Sequence, residues 1–377
     1  MSKNWGKIKL SDIADIEMGQ SPKSEFYNTN GDGLPFFQGR AEFGYIYPNI
    51  EKWCTKPLKV AKKNDVLMTV RAPVGDMNIA KEECIIGRGL CALRSKLNNG
   101  RFLYYLLKGN NSYIISFGSG AVYDAINKDS VENLVFDIPD ELTQRKISSI
   151  LSAYDDLIEL NERRIRILEE MARLIYKEWF VKFKFPGHEK VRMVKGELGM
   201  IPEEWKVKKV EDIVGRIPPG KQYDSNTVKK IGKVPVLDQG RSGIIGFHDD
   251  EPGVIASEDN PVVVFANHTC YQNLILFPFS AIQNVLPFVP NKNNFRNIFW
   301  LHWVTRGIVK FNDYKGHWPE FVNKKLIVPP PDICQRFSEI VKPIEIQVYK
   351  LQQQNINLRQ TRDMLLPKLI SGEIVVN

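Results

Sequence analysis

The sequence has few of the residues that bind metals or form disulfides, and it has no long apolar run. Its five cysteines (Cys54, Cys84, Cys91, Cys270 and Cys334) are odd in number and include no Cys-x-x-Cys pair. This usage predicts buried thiols in a reducing cytoplasm, and it argues against a disulfide framework or a zinc site. No apolar run approaches the roughly 18 residues of a membrane span, so we expect a cytoplasmic protein without a membrane partner.

Motifs for catalysis are also missing from the sequence. It has no Gly-x-x-x-x-Gly-Lys-[Ser/Thr] phosphate loop, no (Asn/Asp)-Pro-Pro-aromatic motif and no cluster among its five scattered histidines. Phe117-Gly118-Ser119-Gly120 superficially suggests a nucleotide-binding turn, but its glycine spacing is wrong for one. We therefore expect no catalytic residues, no metal and no bound cofactor in this chain, so catalysis would be carried out by partners.

What the chain has in excess is positive charge. Its 377 residues carry a formal net charge of +8, and the isoelectric point is about 9.0. Basic surfaces raise the affinity for nucleic acids through counterion release, although many basic proteins bind no nucleic acid. The length is sufficient for two domains that each bury a core.

Two long amphipathic helices are predicted, one at the centre and one near the end of the sequence. From Leu142 to Phe185, apolar residues recur at the a, d and e positions of a heptad that takes Ile147 as position a. Asn161 and Arg164 interrupt this stripe, and such a polar break can fix the register of paired helices. Two such helices most simply pair with each other. The residues predicted to pair are Ile147, Tyr154, Asn161, Leu168, Ile344, Leu351 and Leu358.

Landmarks of the first half of the sequence return in the second half in the same order. Their offsets of about 190 to 200 residues indicate the duplication of one unit. The matched pairs are Trp5 and Trp205, Asp12 and Asp212, Gln38-Gly39-Arg40 and Gln239-Gly240-Arg241, Arg101–Tyr105 and Arg296–Trp300, and Gln144-Arg145 and Gln335-Arg336.

The predicted fold is α+β. It has two similar globular domains of mixed β-sheet and short helices, joined by two long helices that pair as an antiparallel coiled coil with pseudo-two-fold symmetry. A helix of about 40 residues is about 60 Å long, so the pair would act as a ruler between two domains. The alternative is a coiled-coil scaffold that carries two unrelated binding modules. The predicted boundaries are 1–140 for the first domain, 141–186 for the first long helix, 187–331 for a linker and the second domain, and 332–377 for the second long helix.

Candidate DNA-contacting residues lie in loops that follow strand-like segments. Arginine and glutamine match the major-groove edges of guanine and adenine, and glycine lets the backbone approach closely. Aromatic residues beside lysine or histidine can stack on bases. An arginine in such a loop can equally pair with a neighbouring carboxylate. The candidates are Gln38, Gly39, Arg40, Arg71, Ser119, Gly120, Tyr123, Gln239, Gly240, Arg241, Asn267, His268, Tyr314, Lys315 and His317.

Five motifs are distributed along the whole chain: Trp5-x-x-x-x-Leu10-x-Asp12-Ile13, Val-Arg-Ala-Pro-Val-Gly-Asp at 70–76, Gln144-Arg145-Lys146-Ile147, Leu-Gly-Met-Ile-Pro-Glu-Glu-Trp at 198–205 and Leu-Pro-Lys-Leu-Ile-Ser-Gly-Glu-Ile at 366–374. Together, in this order, they resemble the specificity subunits of type I restriction-modification systems. The second half departs from the family pattern, because Val-Val-Val-Phe-Ala-Asn-His at 262–268 stands where the second motif would recur. Asn267 and His268 are therefore candidates by position only.

The resemblance implies a non-catalytic subunit with two target recognition domains, each of which reads one half of a bipartite, asymmetric site in double-stranded DNA. It also implies docking of two modification (methyltransferase) subunits, which bind S-adenosylmethionine and methylate adenine, and association with restriction subunits that use ATP and Mg²⁺. The alternatives are a free-standing DNA methyltransferase or nuclease, and a coiled-coil scaffold without a role at DNA.

Overall fold

The computed structural model describes residues 5–117, 125–240, 243–291, 297–313 and 315–376. The chain forms two compact units. Unit 1 comprises Met1–Leu160 and Gln354–Asn377, and unit 2 comprises Asn161–Gln353. Both divisions fall inside long helices, so each unit contains part of each of them. Among the described helices, none is both long and apolar enough to span a membrane.

Short helices belong to the globular part of each unit, whereas two long helices extend through both. The α-helices of the described residues are α1 (Leu10–Ile13), α2 (Gly100–Gly109), α3 (Asn111–Ser116), α4 (Lys128–Glu132), α5 (Glu141–Tyr176), α6 (Ile298–Thr305), α7 (Trp318–Asn323) and α8 (Pro331–Ile370). Asparagine side chains cap two equivalent short helices: Asn99 accepts from the Phe102 N–H at 3.1 Å, and Asn297 accepts from the Phe299 N–H at 3.0 Å.

The described part of unit 1 contains three sheets. Their orders are β2-β10-β7-β8, β3-β5-β4-β9-β6 and β1-β11. Strands β7 and β9 bury every residue, as expected of apolar runs covered on both faces. The strands are β1 (Gly6–Lys9), β2 (Ala14–Met18), β3 (Tyr27–Asn28), β4 (Leu34–Phe37), β5 (Trp53–Cys54), β6 (Val60–Ala61), β7 (Val66–Thr69), β8 (Met77–Ile79), β9 (Cys84–Ile86), β10 (Leu90–Ser95) and β11 (Val135–Ile138).

The described part of unit 2 contains four sheets, with the orders β12-β13, β14-β23, β15-β22-β19-β20 and β16-β21-β17-β18. The pair β12/β13 is a hairpin near the start of 187–331, the range predicted to hold a linker and the second domain. The strands are β12 (Met193–Gly196), β13 (Gly199–Pro202), β14 (Lys206–Lys209), β15 (Val214–Arg216), β16 (Gln222–Tyr223), β17 (Val234–Leu237), β18 (Ile244–His248), β19 (Val262–Ala266), β20 (Gln272–Ile275), β21 (Ser280–Ile282), β22 (Val285–Pro290) and β23 (Lys325–Val328).

The two units share a large part of their strand topology. The sheet β2-β10-β7-β8 of unit 1 corresponds to β15-β22-β19-β20 of unit 2, and neighbouring strands are antiparallel in both. The parallel pair β4/β9 corresponds to β17/β21, and the antiparallel pair β1/β11 corresponds to β14/β23. This equivalence supports the internal repeat that the sequence landmarks indicate, and the fold is mixed α/β with sheets and long helices.

Contacts between the segments of the two long helices occur within each unit, and in unit 1 their order is antiparallel. In unit 1, Asp155 of α5 forms an ion pair with Arg362 of α8. Ile147, nearer the start of α5, shares a core with Leu369, nearer the end of α8. In unit 2, the rings of Phe180, which lies in a π-helical turn after α5, and Phe337, near the start of α8, are 5.0 Å apart.

The buried face of α5 differs from the predicted a, d, e stripe. The a and e positions are buried at Ile147 and Leu151, but Ile150 and Met171, both at d positions, are exposed. Arg164, also at a d position, is exposed, whereas Asn161 is buried. Asp155, which is not on the predicted stripe, is buried and accepts hydrogen bonds from Tyr105 and Arg362. The buried face of α5 is therefore rotated relative to the predicted stripe.

The other predicted pairing residues are buried to different degrees. Leu351 is buried, and Tyr154, Leu168, Ile344 and Leu358 are half-buried. After α5, Phe183 adopts a left-handed φ of 57°, which a continuing helix cannot contain. Helix α8 is followed by Gly372 with a φ of 72°, in keeping with the usual preference for glycine just beyond a helix end.

Candidate nucleic-acid interface

In unit 1, the Gln-Gly-Arg motif lies at an edge where two parallel strands end. Strands β4 and β9 pair in parallel, with Phe37 opposite Ile86, so the residues that follow them emerge side by side. The Gly87 N–H donates to the Phe37 carbonyl at 2.8 Å. Gln38 and Arg40, which follow β4, are exposed, and the Gly39 N–H donates to the Glu42 carboxylate at 3.0 Å. The motif is therefore held by its backbone and exposes its side chains.

An ion pair joins this motif to the Val-Arg-Ala-Pro-Val-Gly-Asp loop. Arg40 Nε lies 2.7 Å from Asp76 Oδ2, while 64% of the Arg40 side chain remains exposed. Thr69 Oγ1 accepts from the Asp76 N–H at 2.9 Å and donates to the Pro73 carbonyl at 2.7 Å, which closes the loop. The structure thus brings together two motifs that the sequence separates by about 30 residues.

Arg71 occupies the same surface of unit 1. It follows β7, its side chain is exposed, and its backbone forms a β-bridge with Ala125. The Val70 N–H donates to the Gly89 carbonyl at 2.9 Å, which connects this loop to the turn after β9. Within the described residues, Arg71 has no ion-pair partner. The candidates Ser119, Gly120 and Tyr123 lie outside the described residues.

In unit 2, the equivalent loop uses its glutamine for internal contacts. Gln239 Oε1 accepts from the His268 N–H at 2.9 Å, and the Gln239 carbonyl accepts from the Thr269 hydroxyl at 2.6 Å. The Gly240 N–H donates to Asp238 at 2.9 Å. The Gln239 side chain therefore fixes the loop after β17 against the loop after β19. Arg241 lies outside the described residues.

A third segment, around His317, joins these two loops of unit 2. Asn267 Oδ1 accepts from the Trp318 N–H at 2.8 Å, and the ring of His268 donates through Nδ1 to the Lys315 carbonyl at 3.0 Å. His317 is fully buried, and its Nε2 donates to the Asp313 carbonyl at 3.0 Å. This position gives His317 a supporting role inside the segment, whereas Lys315 is exposed. Tyr314 lies outside the described residues.

Two contributors to this surface are absent from the sequence-based candidates. Arg88 follows β9 in unit 1, and Gln283 follows β21 in unit 2; both side chains are exposed. Their proximity to the candidate loops depends on the parallel pairing of strands that are distant in sequence, which a residue pattern does not reveal. The one local signal is the Gly-Arg-Gly sequence at 87–89, in which an arginine stands between two glycines.

Four of the five cysteines lie in the interior, and the fifth, Cys270, lies in the loop after β19. Cys54, Cys84, Cys91 and Cys334 are buried, as their usage predicts, and Cys270 is partly exposed. Burial raises the pKa of the Cys84 and Cys91 thiols to about 12, so both stay protonated near neutral pH. Within the described ranges, no group of three or more His, Cys, Asp or Glu side chains is arranged to hold a metal ion.

Comparison with known proteins shows one consistent similarity. The family model of the type I restriction modification DNA specificity domain matches residues 2–170. The type I restriction enzyme MjaIX specificity subunit of Methanocaldococcus jannaschii is 26% identical over 412 residues, which cover 99% of this chain and 94% of that protein. The chain is therefore similar to type I specificity subunits.

Other type I specificity subunits resemble this chain over different lengths. The MjaX specificity subunit of Methanocaldococcus jannaschii is 42% identical over 180 residues, covering 46% of this chain and 42% of that protein, which is less than half the relative's length. The crystal structure of a type I S subunit from M. genitalium covers 97% of this chain and 96% of that one, with a TM-score of 0.66 and 18% identity. That likeness shows a shared fold.

Proposed function

We propose that this chain is the non-catalytic DNA-recognition subunit of a type I restriction-modification complex, in which each unit reads one half of a bipartite DNA site. The observation that carries the proposal is the repeated loop cluster. In both units, the loops after the parallel strand pair and after the neighbouring strand, β7 or β19, are joined by hydrogen bonds or ion pairs. Rigid loops with exposed polar side chains are suited to contact base edges.

The two clusters carry different chemistry, which supports an asymmetric site. Unit 1 exposes arginines at positions 40 and 71, and arginine matches guanine O6 and N7. Unit 2 presents the amides of Gln239 and Asn267 and the imidazole of His268 in a network of its own. Because the donors and acceptors differ, the two units would recognise different half-sites.

We propose that α5 and α8 pair as an antiparallel coiled coil that sets the distance between the half-sites. The antiparallel order of contacts in unit 1 supports this arrangement. Helix α5 has 36 residues and is therefore about 54 Å long. Recognition surfaces one turn apart on a DNA duplex are separated by about 34 Å, which is within the span of such a helix.

An exposed apolar stripe on α5 supports the docking of modification subunits. In unit 2 it comprises Ile167, Met171 and Leu174, each at least 44% exposed. The spacing of three and four residues is that of a helix–helix seam, and it lies on the face of α5 that the core of the unit does not cover. Apolar side chains arranged in this way usually mark a protein interface.

Catalysis is assigned to the partners in this proposal. The modification subunits would bind S-adenosylmethionine and methylate adenine, and the restriction subunits would use ATP and Mg²⁺. The chain itself would supply the sequence specificity of both reactions.

The function is tested by expressing the chain with its modification subunits in a host that lacks other adenine methylation, followed by methylome sequencing. We expect one methylated motif with two defined halves and a spacer of fixed length. Methyl transfer by the purified chain alone would show an enzyme. The absence of any motif, together with the absence of salt-sensitive DNA binding, would show a scaffold without a role at DNA.

Replacing Ile167 and Met171 with glutamate is expected to weaken binding of the modification subunit at least about 100-fold, because each buried apolar side chain contributes about 1.5 to 3 kcal/mol. The measurement is isothermal titration of the purified subunits. Arg166→Glu is the control, since it adds a glutamate to the same helical turn beside the stripe at another exposed position. If the double variant and Arg166→Glu lose affinity for the modification subunit equally, the effect is a general one of negative charge on α5. The stripe would then not be the docking site.

A further inference from the structure

A third loop of each unit lies directly against the candidate loops. In unit 1 it is the turn Gly87-Arg88-Gly89, which connects β9 to β10. Its first residue donates to the Phe37 carbonyl at 2.8 Å, and its last accepts from the Val70 N–H at 2.9 Å. The turn is therefore positioned between the loop of Gln38 and the loop of Arg71.

The glycines of this turn are required by the close approach of the backbones. A Cβ atom at Gly89 would lie 2.3 Å from the Gln38 carbonyl oxygen, which is closer than any real contact. A Cβ at Gly87 would lie 3.1 Å from the Gln38 Cα. Arg88 is consequently the only residue of the turn with a side chain. That side chain is exposed and, within the described residues, has no ion-pair partner.

The turn and the loop after β4 also act on one nearby tyrosine. The pKa of Tyr27 is raised by burial and by the neighbouring Cys54, while a hydrogen bond from Gln38 and the positive charge of Arg88 act in the opposite direction. This agrees with the backbone contact between Gly87 and Phe37, which holds the turn beside the loop of Gln38.

The equivalent turn of unit 2 has a different sequence and the same placement. It consists of Gln283 and Asn284, between β21 and β22. Asn284 has a left-handed φ of 68°, and its carbonyl accepts from the Asn267 N–H at 2.8 Å. Its side chain accepts from Asn267 Nδ2 at 3.3 Å. Asn284 thus fixes the turn to the loop after β19, while Gln283 is exposed and forms no hydrogen bond with the described residues.

Two side chains of the repeated sequence motif are already engaged, whereas one side chain on each third loop is not. Arg40 is paired with Asp76, and the side-chain oxygen of Gln239 is occupied by the His268 N–H. The side chains of Arg88 and Gln283 form no ion pair or hydrogen bond with the described part of the chain. An unengaged side chain on a fixed turn can form two parallel hydrogen bonds with a base at little entropic cost.

We propose that Arg88 and Gln283 are specificity-determining residues, with Arg88 reading a guanine in the half-site of unit 1 and Gln283 reading an adenine in the half-site of unit 2. The inference rests on the proposed function, because it names the base contacts of the same surface. The guanidinium matches guanine O6 and N7, and the carboxamide matches adenine N6 and N7. Equivalent turns with different side chains would then give the two units different base preferences.

The test uses the complete complex of the chain with its modification subunits, and it compares Arg88→Ala, Arg88→Lys and Gln283→Ala with the unaltered chain. Methylome sequencing gives the motif, and binding to duplexes altered at single positions gives the discrimination. We expect Arg88→Ala to lose about 10- to 100-fold discrimination at one guanine of one half-site, with the other half-site unchanged. Gln283→Ala should do the same at one adenine of the other half-site.

Arg88→Lys separates base contact from phosphate contact, because lysine keeps the charge but lacks the planar fork of arginine. Base reading predicts that Arg88→Lys also relaxes the guanine position. If Arg88→Ala weakens all sequences equally and leaves the motif unchanged, Arg88 contacts phosphate and the proposal is wrong. An unchanged motif and unchanged affinity would exclude contact with DNA. If the unaltered complex shows no sequence preference, the proposed function itself fails.

Discussion

Asp155→Ala is expected to lower the free energy of unfolding by about 3 to 5 kcal/mol, because it removes the anion of a buried ion pair in unit 1. Only 1% of Asp155 is exposed. Its carboxylate accepts from Arg362 Nη1, from the Tyr45 hydroxyl at 3.0 Å and from the Tyr105 hydroxyl at 2.6 Å. The substitution would leave the buried Arg362 guanidinium with only the largely exposed Asp363 carboxylate as its counter-charge, and it would remove an acceptor from both tyrosines.

The two tyrosines remain donors over the whole accessible pH range. The pKa of the Tyr105 hydroxyl is raised by burial and by the negative charge of Asp155, and that of the Tyr45 hydroxyl is raised by the same two causes. Both hydroxyls therefore stay protonated. The Asp155 carboxylate accepts one hydrogen bond from the Arg362 cation and two from neutral tyrosine hydroxyls. The network connects the loop of Tyr45 and helix α2 to both long helices within unit 1.

Equilibrium urea unfolding measures this effect, and the adjacent residue provides the control. Asp156 pairs with Arg101 at 2.7 Å, but 58% of its side chain is exposed. Asp156→Ala is therefore expected to cost less than about 1 kcal/mol. The double variant Asp155→Ala/Arg362→Met should recover part of the lost free energy of unfolding, because it also removes the buried Arg362 cation. Equal unfolding midpoints for Asp155→Ala and Asp156→Ala would show that the buried network contributes little.

Inserting seven residues after Leu160 and seven after Gln353 is expected to lengthen the unspecified spacer of the DNA site by about three base pairs. Seven helical residues add about 10.5 Å, and one base pair adds about 3.4 Å. A full heptad preserves which side chains face the partner helix. Both insertion points are the divisions between the compact units, so the contacts inside each unit are retained.

Methylome sequencing of the inserted variant gives the result directly. The two halves of the motif should be unchanged, and affinity for the original spacing should fall at least about 1,000-fold, toward the non-specific level. A seven-residue insertion between Glu197 and Leu198, in the turn of the β12/β13 hairpin, is the matched control and should leave the spacer unaltered. A changed half-site with an unchanged spacer would contradict the role of the helices as a ruler.

Local patterns in the sequence predicted the features that depend on neighbouring residues. The apolar run at Val66–Thr69 and the Gln-Gly-Arg loop after Leu34–Phe37 were readable because a strand and the turn that follows it are adjacent in sequence. The start of the long central helix at Glu141 was readable because Pro139 precedes a heptad pattern. The landmarks that recur at offsets of about 190 to 200 residues predicted the equivalent loops of the second half.

The remaining features depend on contacts between distant residues. The parallel pairing of β4 with β9 places Arg88 beside Gln38, and no periodicity predicts which strands become neighbours. The rotation of α5 depends on Asp155, a polar residue whose burial requires Arg362 from the other end of the chain. The burial of His317 likewise depends on hydrogen bonds with loops that are distant in sequence.

The composition of the two units has a consequence for the order in which they fold during synthesis. Unit 2 is continuous in sequence, whereas unit 1 receives Leu366, Leu369 and Ile370 of its core from a segment that follows unit 2 in the sequence. Domains usually fold in the order of their synthesis, from the N-terminus onward. Here the second unit to be translated can complete its core first. The ion pair between Asp155 and Arg362 can form only after Arg362 has left the exit tunnel of the ribosome.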